Sequence, residues 1–173
     1  MKDDRDYLAE IEEMIAEKRK KAKRITIKPE PKPKISKKES AQLAKQIFEE
    51  LENSNYDILA IRELLMQGAD VDFRGEFEHS FIHASILLED ANLLQLFIKH
   101  GANVNAKAKG GVSAPHLMSF IVIDSVFELL EILISNGLDI NIKDETGNTA
   151  IFWAVKLNNT KTIEALQRFG GKL

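Results

Sequence analysis

Two histidines four positions apart, His79 and His83, have the residue type and the spacing that could hold a metal ion. On one helix this spacing would place both imidazole rings on the same face, where they could ligate zinc. Glu76 and Glu78 are further candidate ligands nearby, and the chain has no cysteine, which excludes thiolate zinc sites and cysteine nucleophiles. Whether the two histidines form a site depends on the elements that position them.

Motifs of the common catalytic sites are absent from the sequence. It has no Gly-x-Ser-x-Gly nucleophile elbow, phosphate-binding loop or dinucleotide fingerprint, and the pair Gly110-Gly111 is interpreted as a turn. We therefore predict that the protein is not an enzyme and that it needs no cofactor.

The composition favours an all-α fold. Of the 173 residues, 44% are hydrophobic, 7% aromatic and 29% charged, which suits a leucine-rich helical protein better than a β-sandwich. The apolar stretches fall well short of the ~20 residues of a membrane helix, so no transmembrane segment is predicted. The acidic N-terminus lacks the features of a signal peptide, and the lack of cysteine agrees with a reducing compartment. We expect a cytoplasmic location, with a nuclear or host-cell location as alternatives.

Charge is divided unevenly along the chain. Residues 1–38 hold 13 basic and 8 acidic side chains, a net charge of +5, whereas residues 39–173 hold 11 basic and 19 acidic side chains, a net charge of −8. The main body should therefore repel nucleic acid, while the N-terminal extension could attract an acidic partner.

Four glycines recur with the period of a repeat protein. Gly68, Gly101, Gly137 and Gly170 are separated by 33, 36 and 33 residues, and the first three lie within LLMQGADVDF, FIKHGANVNA and LISNGLDINI. Each glycine follows an apolar helix end, where a left-handed cap suits a residue without a Cβ. The period and its context resemble the ankyrin-repeat family over residues 39–173. The resemblance implies an all-α solenoid of stacked helix pairs joined by short hairpin-like loops.

The turns that open the first helix of each pair carry the resemblance further. The family's TPLH turn corresponds to residues 80–83, 113–116 and 149–152, and its D-x-x-G tip is kept only at residues 144–147. The 36-residue repeat has three extra residues around positions 120–125, which predict a longer helix or loop there.

The N-terminal part is predicted to form separate segments. Residues 1–24 have an apolar stripe at helical spacing and a basic end, residues 25–38 form a Pro/Lys-rich linker, and Ser36 with Glu39 fits a capping box that opens the ankyrin-repeat domain, residues 39–173. The apolar stripe could dock on the repeats or bind a partner. The basic run could be merely solvated or could act in nuclear import or acidic-surface binding, and the sequence leaves these alternatives open.

The resemblance gives the histidines a structural role. His83 and His116 take the turn position where the family uses histidine to fix the start of a helix, and His79 falls on the preceding hairpin. No metal site is therefore predicted.

Ankyrin proteins generally bind partners through the hairpin tips and the exposed side of the first helices. Phe77, Leu117 and Trp153 place large apolar groups at such positions, where solubility alone would favour polar ones. The alternative is that Phe77 packs within its own hairpin and that the next helix partly covers Trp153. By register, the predicted partner-binding residues are Glu76, Phe77, His79, Ala84, Lys109, Val112, Leu117, Glu145, Thr146, Asn148 and Trp153.

These features favour a protein–protein interaction module over an enzyme. We expect an adaptor, an inhibitor, an immunity-type blocker or a host-directed effector, and the sequence does not identify its protein partner. The alternative is nucleic-acid or acidic-surface binding through the basic extension, although the acidic repeat body disfavours nucleic acid.

Overall fold

The computed structural model describes residue 33 and residues 35–173, and this part of the chain contains eight α-helices in four consecutive pairs. The predicted all-α solenoid of stacked helix pairs is confirmed. The predicted helix over residues 1–24 lies outside the described residues, as does most of the linker over residues 25–38. The pairs are α1 Lys37–Leu51 with α2 Ile58–Met66, α3 Phe81–Leu87 with α4 Ala91–Lys99, α5 Ala114–Phe120 with α6 Val126–Ser135, and α7 Ala150–Lys156 with α8 Thr160–Arg168.

Polar side chains fix the starts of most of the second helices and of α1. At α1 the predicted capping box is confirmed: the Glu39 N–H donates to Ser36 Oγ (3.2 Å), and the Ser36 N–H donates to Glu39 Oε2 (2.9 Å). Asp57 and Asp90 accept hydrogen bonds from the first backbone N–H groups of α2 and α4. These bonds satisfy donors that have no partner within the helix.

A side chain of the preceding repeat holds the loop that leads into α6. Glu89 Oε2 accepts hydrogen bonds from the backbone N–H groups of Asp124 (2.8 Å) and Ser125 (3.2 Å) and from the Ser125 hydroxyl (3.1 Å). The long repeat is thereby joined to its neighbour through a side chain at the loop that follows α3.

The second helix of every pair ends at one of the four periodic glycines. Gly68, Gly101, Gly137 and Gly170 have φ angles of 100°, 92°, 91° and 90°. Since this left-handed conformation disfavours residues with a Cβ, the prediction that glycine ends each second helix is confirmed.

The three extra residues of the long repeat are mainly in a loop. Residues 121–125 separate α5 from α6, whereas three residues separate the helices of the second and fourth pairs, and α6 is one residue longer than α4 and α8. Helix α5 keeps the seven-residue length of α3 and α7, so the stacking of the first helices is preserved.

One continuous core runs through the repeats. Three aromatic rings connect the first two pairs: the rings of Phe48 and Phe81 stack with centroids 4.5 Å apart, and those of Phe81 and Phe97 with centroids 4.6 Å apart. Phe81 and Phe97 are fully buried. Apolar burial of this kind is the main stabilising contribution to a stack whose repeats contact only their neighbours.

Three hairpins project between consecutive pairs, and each is closed by one backbone hydrogen bond at the same repeat position. Closure does not require the D-x-x-G motif, which two of the three hairpins lack. Within the described residues the only β contact is one isolated antiparallel bridge between Lys143 and Thr149. The closing bonds run from Gly75 N to His79 O (2.9 Å), from Ala108 N to Val112 O (2.7 Å) and from Asp144 N to Asn148 O (2.9 Å).

Buried histidines link each first helix to the next hairpin. His83 Nδ1 lies 2.8 Å from Ser80 Oγ, and His83 Nε2 lies 3.0 Å from the carbonyl oxygen of Val112. Because a carbonyl can only accept, Nε2 carries the proton and Nδ1 accepts. His116 repeats this arrangement with Ser113 and with the Asn148 carbonyl, so the structural role predicted for both histidines is confirmed.

Acid should destabilise the fold through these histidines. Burial lowers the pKa of His83 to about 4, although its bond to Val112 opposes the shift, and burial also lowers the pKa of His116. In the unfolded chain the pKa of a histidine is about 6.5. Below that pH the histidines of the unfolded chain therefore take up protons, while the buried histidines of the folded chain do not. The stabilisation is therefore fully present above pH 6.5 and decreases as pH falls towards 4. For His83 the loss should reach about 3 kcal/mol.

Urea denaturation between pH 4 and pH 7 measures this effect. The control is His83→Gln, because glutamine can still complete a capping box with Ser80 but does not titrate. We expect the variant to show a smaller loss of stability on acidification than the wild-type chain. Equal losses in the two proteins would show that His83 does not determine the pH dependence.

Candidate partner-binding groove

The hairpins and the first helices form one side of the stack, which we call the groove. A cavity of about 700 Å³ lies between the first two repeats, where the C-terminal half of α1 faces the first hairpin and the end of α3. An open apolar cleft of this size can accept side chains of a partner. The residues that line it are Lys45, Phe48, Glu49, Leu51, Glu52, Phe73, Arg74, Gly75, Glu76, Phe77, His79, Ala84, Leu87 and Leu88.

Large apolar side chains at this cavity are open to solvent. The exposed fraction is 64% for Phe77, 47% for Leu87 and 39% for Leu88. Phe48 and Phe73 are half-buried beneath them, with ring centroids 6.2 Å apart. A cluster of exposed apolar groups on a packed aromatic floor is typical of a surface that contacts another molecule.

Phe77 also has an unusual backbone conformation. Its φ is 53° and that of Glu78 is 60°, whereas glycines occupy the equivalent positions of the next hairpin. The left-handed region costs an ordinary residue about 1–2 kcal/mol. A bulky aromatic side chain is therefore held at a hairpin tip despite a backbone that favours glycine, and such outliers cluster at functional sites.

Charged side chains surround the apolar cavity. The carboxylates of Glu49, Glu52 and Glu76 outnumber the cations of Lys45 and Arg74, which gives the lining a net charge of −1 with histidine neutral. Nη1 of Arg74 is buried and makes no hydrogen bond within the described part of the chain. The rim is therefore slightly acidic, in keeping with the acidic repeat body.

His79 contributes aromatic surface to the cavity. Its ring lies parallel to that of His83 with centroids 5.4 Å apart, and burial lowers the pKa of His79 although Glu76 opposes the shift. His79 precedes α3 rather than lying on it. Within the described residues, no group of three or more potential ligands could hold a metal ion.

A second apolar cluster lies at the far end of the groove, between the last two repeats. The rings of Phe120 and Phe152 lie 5.6 Å and 5.5 Å from that of Trp153 in edge-on contacts. Lys156 Nζ lies 4.7 Å from the centroid of the Trp153 ring, a cation–π arrangement. Phe120 is 41% exposed and Phe152 37% exposed, so this cluster also faces solvent.

Trp153 is tied to the hairpin that precedes it. Its Nε1 donates to Asp144 Oδ2 (2.7 Å), while Asp144 Oδ1 accepts from the Thr146 and Asn148 N–H groups (2.8 and 3.0 Å). Although partial burial raises the pKa of Asp144, these hydrogen bonds outweigh it and lower the value to about 2. Trp153 is half-buried, and it orders the tip as well as presenting a ring.

The eleven residues predicted for partner binding do not lie together at one site. Four of them line the cavity, and Lys109, Glu145 and Thr146 are exposed at the other two tips. Val112 and Asn148 are half-buried, with their carbonyls bonded to the histidines. The four at the cavity are Glu76, Phe77, His79 and Ala84.

The expected exposure of Leu117 is wrong. This side chain is only 8% exposed and belongs to the core, because α5 packs closely against both α3 and α7. Sequence reasoning also missed Phe48, Phe73, Leu87 and Leu88 at the cavity. The sequence did indicate the two leucines. They lie at the end of α3, outside the stripe of residues that this helix buries, and they are as apolar as that stripe.

Within the described part of the chain, no helix has the length and apolar character needed to cross a membrane.

Stacked helix pairs with projecting hairpins and an apolar groove define a repeat-scaffold protein. Comparison with known proteins agrees: residues 118–167 match the family model described as "Ankyrin repeats (many copies)". This match and the relatives below support an ankyrin-repeat protein. Such repeats generally act as protein–protein interaction modules and are generally not enzymes.

Several curated proteins are similar to parts of the chain. A protein of Borreliella burgdorferi named as an ankyrin repeat protein is 34% identical over 89 residues, covering 51% of this chain and 38% of the relative. An ankyrin repeat protein of Acanthamoeba polyphaga mimivirus is 28% identical over 112 residues (64% and 14%), and human neurogenic locus notch homolog protein 1 is 25% identical over 112 residues (64% and 4%). The match thus spans well under half the length of each relative.

Proposed function

We propose that the protein binds a protein partner through the groove and the hairpin tips, as a cytoplasmic adaptor, inhibitor or immunity-type blocker. The observation that carries this proposal is the cavity of about 700 Å³ at which Phe77, Leu87 and Leu88 are exposed. Exposed apolar side chains lower solubility unless a partner covers them, and aromatic anchors commonly dominate the energy of an interface.

The shape of the groove supports a macromolecular ligand over a substrate. Catalysis needs convergent polar groups in a pocket that excludes water, whereas this cavity opens along the stack and its lining is mostly apolar. A helix or extended segment that inserts two or three apolar side chains fits such a surface.

Capture from native lysate with the full chain tests the proposal. The groove variant is Leu87→Ser with Leu88→Ser. The control is Leu59→Ser with Met66→Ser, which removes two apolar side chains of α2 that are even more exposed (64% and 54%). We expect the groove variant to lose the captured protein and the control to retain it. Loss in both variants, or in the control alone, would place the partner surface outside the groove.

The basic run of residues 18–24 supports a second candidate, binding of nucleic acid or another acidic surface through the extension. Such binding should weaken steeply with salt, because each neutralised phosphate releases counterions. Apolar contacts in the groove should depend little on salt. Titration of the captured complex with salt, repeated on the chain truncated to residues 35–173 so that the cap of α1 is kept, distinguishes the two candidates.

A further inference from the structure

Arg74 is a charged side chain that the fold holds at the apolar cavity without a hydrogen-bond partner. It comes just before Gly75, which closes the first hairpin, and it lines the cavity. The side chain is half-buried, and its Nη1 is buried with no acceptor in the described part of the chain. Buried polar groups are nearly always hydrogen-bonded, and an unpaired buried charge destabilises a fold. An unpaired guanidinium at an open cavity therefore indicates an acceptor on a ligand.

The carboxylates of the cavity rim do not supply this acceptor. Glu49, Glu52 and Glu76 line the same cavity, and all three side chains are exposed. Among the described residues an ion pair joins Lys161 to Asp124, and none joins Arg74 to the three glutamates. An exposed carboxylate gains little from pairing, because water solvates it equally well. The guanidinium thus remains open to a carboxylate that enters the cavity.

Apolar side chains around Arg74 would exclude water from an ion pair formed there. The rings of Phe48 and Phe73 form the floor of the cavity, and Phe77 and Leu87 are exposed at its edge. Attraction between charges is stronger where water is excluded, but the loss of solvation usually cancels this gain. Because Nη1 is already buried in the free protein, part of that loss precedes binding. An ion pair with Arg74 should therefore contribute more than one at an exposed arginine.

We propose that Arg74 selects a partner segment in which one aspartate or glutamate side chain lies next to apolar side chains. The proposal rests on the proposed function, since it specifies the chemistry of the ligand at the same surface. A guanidinium can donate two parallel hydrogen bonds to one carboxylate, which fixes the orientation of the bound segment. The apolar neighbours of this carboxylate then cover Phe77, Leu87 and Leu88.

The acidic rim restricts the ligand to a single carboxylate at this place. The cavity lining has a net charge of −1, and residues 39–173 have a net charge of −8, so a uniformly acidic segment is repelled. One carboxylate that contacts the unpaired guanidinium is attracted at short range, whereas the exposed glutamates act through solvent and salt. The expected pattern is therefore one acidic residue among apolar residues, and not an acidic run.

Selection from a displayed peptide library on the full chain tests the proposal. Random dodecapeptides are fused to a phage coat protein through their C-terminus, so that any carboxylate within them belongs to a side chain. Peptides that also bind the variant Leu87→Ser with Leu88→Ser are removed, which leaves the groove-dependent peptides. We expect these to share one Asp or Glu at a fixed distance from an apolar residue. The same selection on Arg74→Gln should give no acidic preference.

The affinity of one selected peptide measures the contribution of Arg74. The peptide is synthesised with an amidated C-terminus, alongside a version in which its acidic residue is replaced by the matching amide. In isothermal titration the wild-type chain should bind the acidic form roughly tenfold more tightly, and Arg74→Gln should bind both forms equally.

Two further variants act as controls. Arg62→Gln replaces an exposed arginine of α2, so it changes the net charge equally and should keep the tenfold preference. Arg74→Lys keeps the charge but cannot donate two parallel hydrogen bonds, so it should give an intermediate preference. Helical circular dichroism checks folding, and Arg74→Lys takes the place of Arg74→Gln if the latter unfolds.

The proposal is wrong if groove-dependent peptides lack a fixed acidic position, or if no groove-dependent peptide is found. Equal acidic preference in the wild-type and Arg74→Gln chains would also contradict it, as would equal loss of preference in Arg62→Gln and Arg74→Gln. Groove-dependent peptides without an acidic residue would leave the proposed partner surface standing. The proposed function fails instead if partner capture survives Leu87→Ser with Leu88→Ser, whatever the peptides show.

Discussion

Alanine at both Phe77 and Trp153 should weaken the complex with the captured partner about a thousandfold. Large aromatic anchors commonly contribute about 2 kcal/mol each, and two independent losses multiply in the affinity. Phe77 is 64% exposed at the first tip, and Trp153 lies at the far end of the groove, so the two should act independently. Isothermal titration with the single and double variants measures the affinity and its additivity.

Two control substitutions separate binding from stability at these positions. Phe77→Gly removes the ring from a residue with φ 53°, so it should reduce binding as much as alanine does, while stability is unchanged or raised by up to about 1 kcal/mol. Trp153→Phe keeps an aromatic ring but removes the donor to Asp144. If Phe77→Gly binds normally, or if Trp153→Phe weakens binding as much as Trp153→Ala, the aromatic contacts are not the cause.

Local features of the sequence were sufficient to predict the helical framework. Helix ends at Gly68 and Gly101 depend on a single residue in the left-handed conformation, and the capping box of Ser36 and Glu39 depends on residues three apart. Because the same motifs recur in several repeats, the position of a degenerate turn in one repeat could be inferred from the equivalent turns of its neighbours.

Exposure of individual side chains was harder to predict because neighbouring repeats determine it. Ala84, Leu117 and Trp153 occupy the same position of successive first helices, yet Leu117 is buried and the other two are half-buried. Leu87 and Leu88 are exposed because the first pair leaves an open cavity beside them, which no local pattern reports. Register therefore predicted Phe77 and three further residues at the cavity but missed Leu87 and Leu88 beside it.

The backbone conformation of the first hairpin tip was equally hard to predict from the sequence. Phe77 and Glu78 have positive φ angles at the positions that Gly110 and Gly111 occupy in the next hairpin. A sequence without glycine at residues 77–78 gives no reason to expect this conformation. It follows from the hairpin closure between Gly75 and His79 (2.9 Å) and from the packing of the stack.

Alanine at Gly111 should destabilise the stack far more than alanine at Gly110. Both glycines have left-handed backbones, with φ of 75° and 78°, so both substitutions incur a strain of about 1–2 kcal/mol. A Cβ on Gly111 would lie 2.6 Å from the backbone nitrogen of Glu145 and 3.0 Å from the carbonyl carbon of Asp144, whereas the nearest atom to a Cβ on Gly110 is a Val112 methyl at 3.9 Å.

The difference between the stability losses of Gly111→Ala and Gly110→Ala measures the contact between the second and third hairpins. The Glu145 N–H donates to the Gly110 carbonyl (3.1 Å), so an added methyl group on Gly111 must push the two hairpins apart and lengthen this bond. Overpacking against backbone costs about 1–3 kcal/mol, which together with the backbone strain brings the expected loss for Gly111→Ala to about 2–5 kcal/mol in urea denaturation. Similar losses for Gly111→Ala and Gly110→Ala would mean that the hairpins separate freely, and that the tips do not form one continuous binding surface.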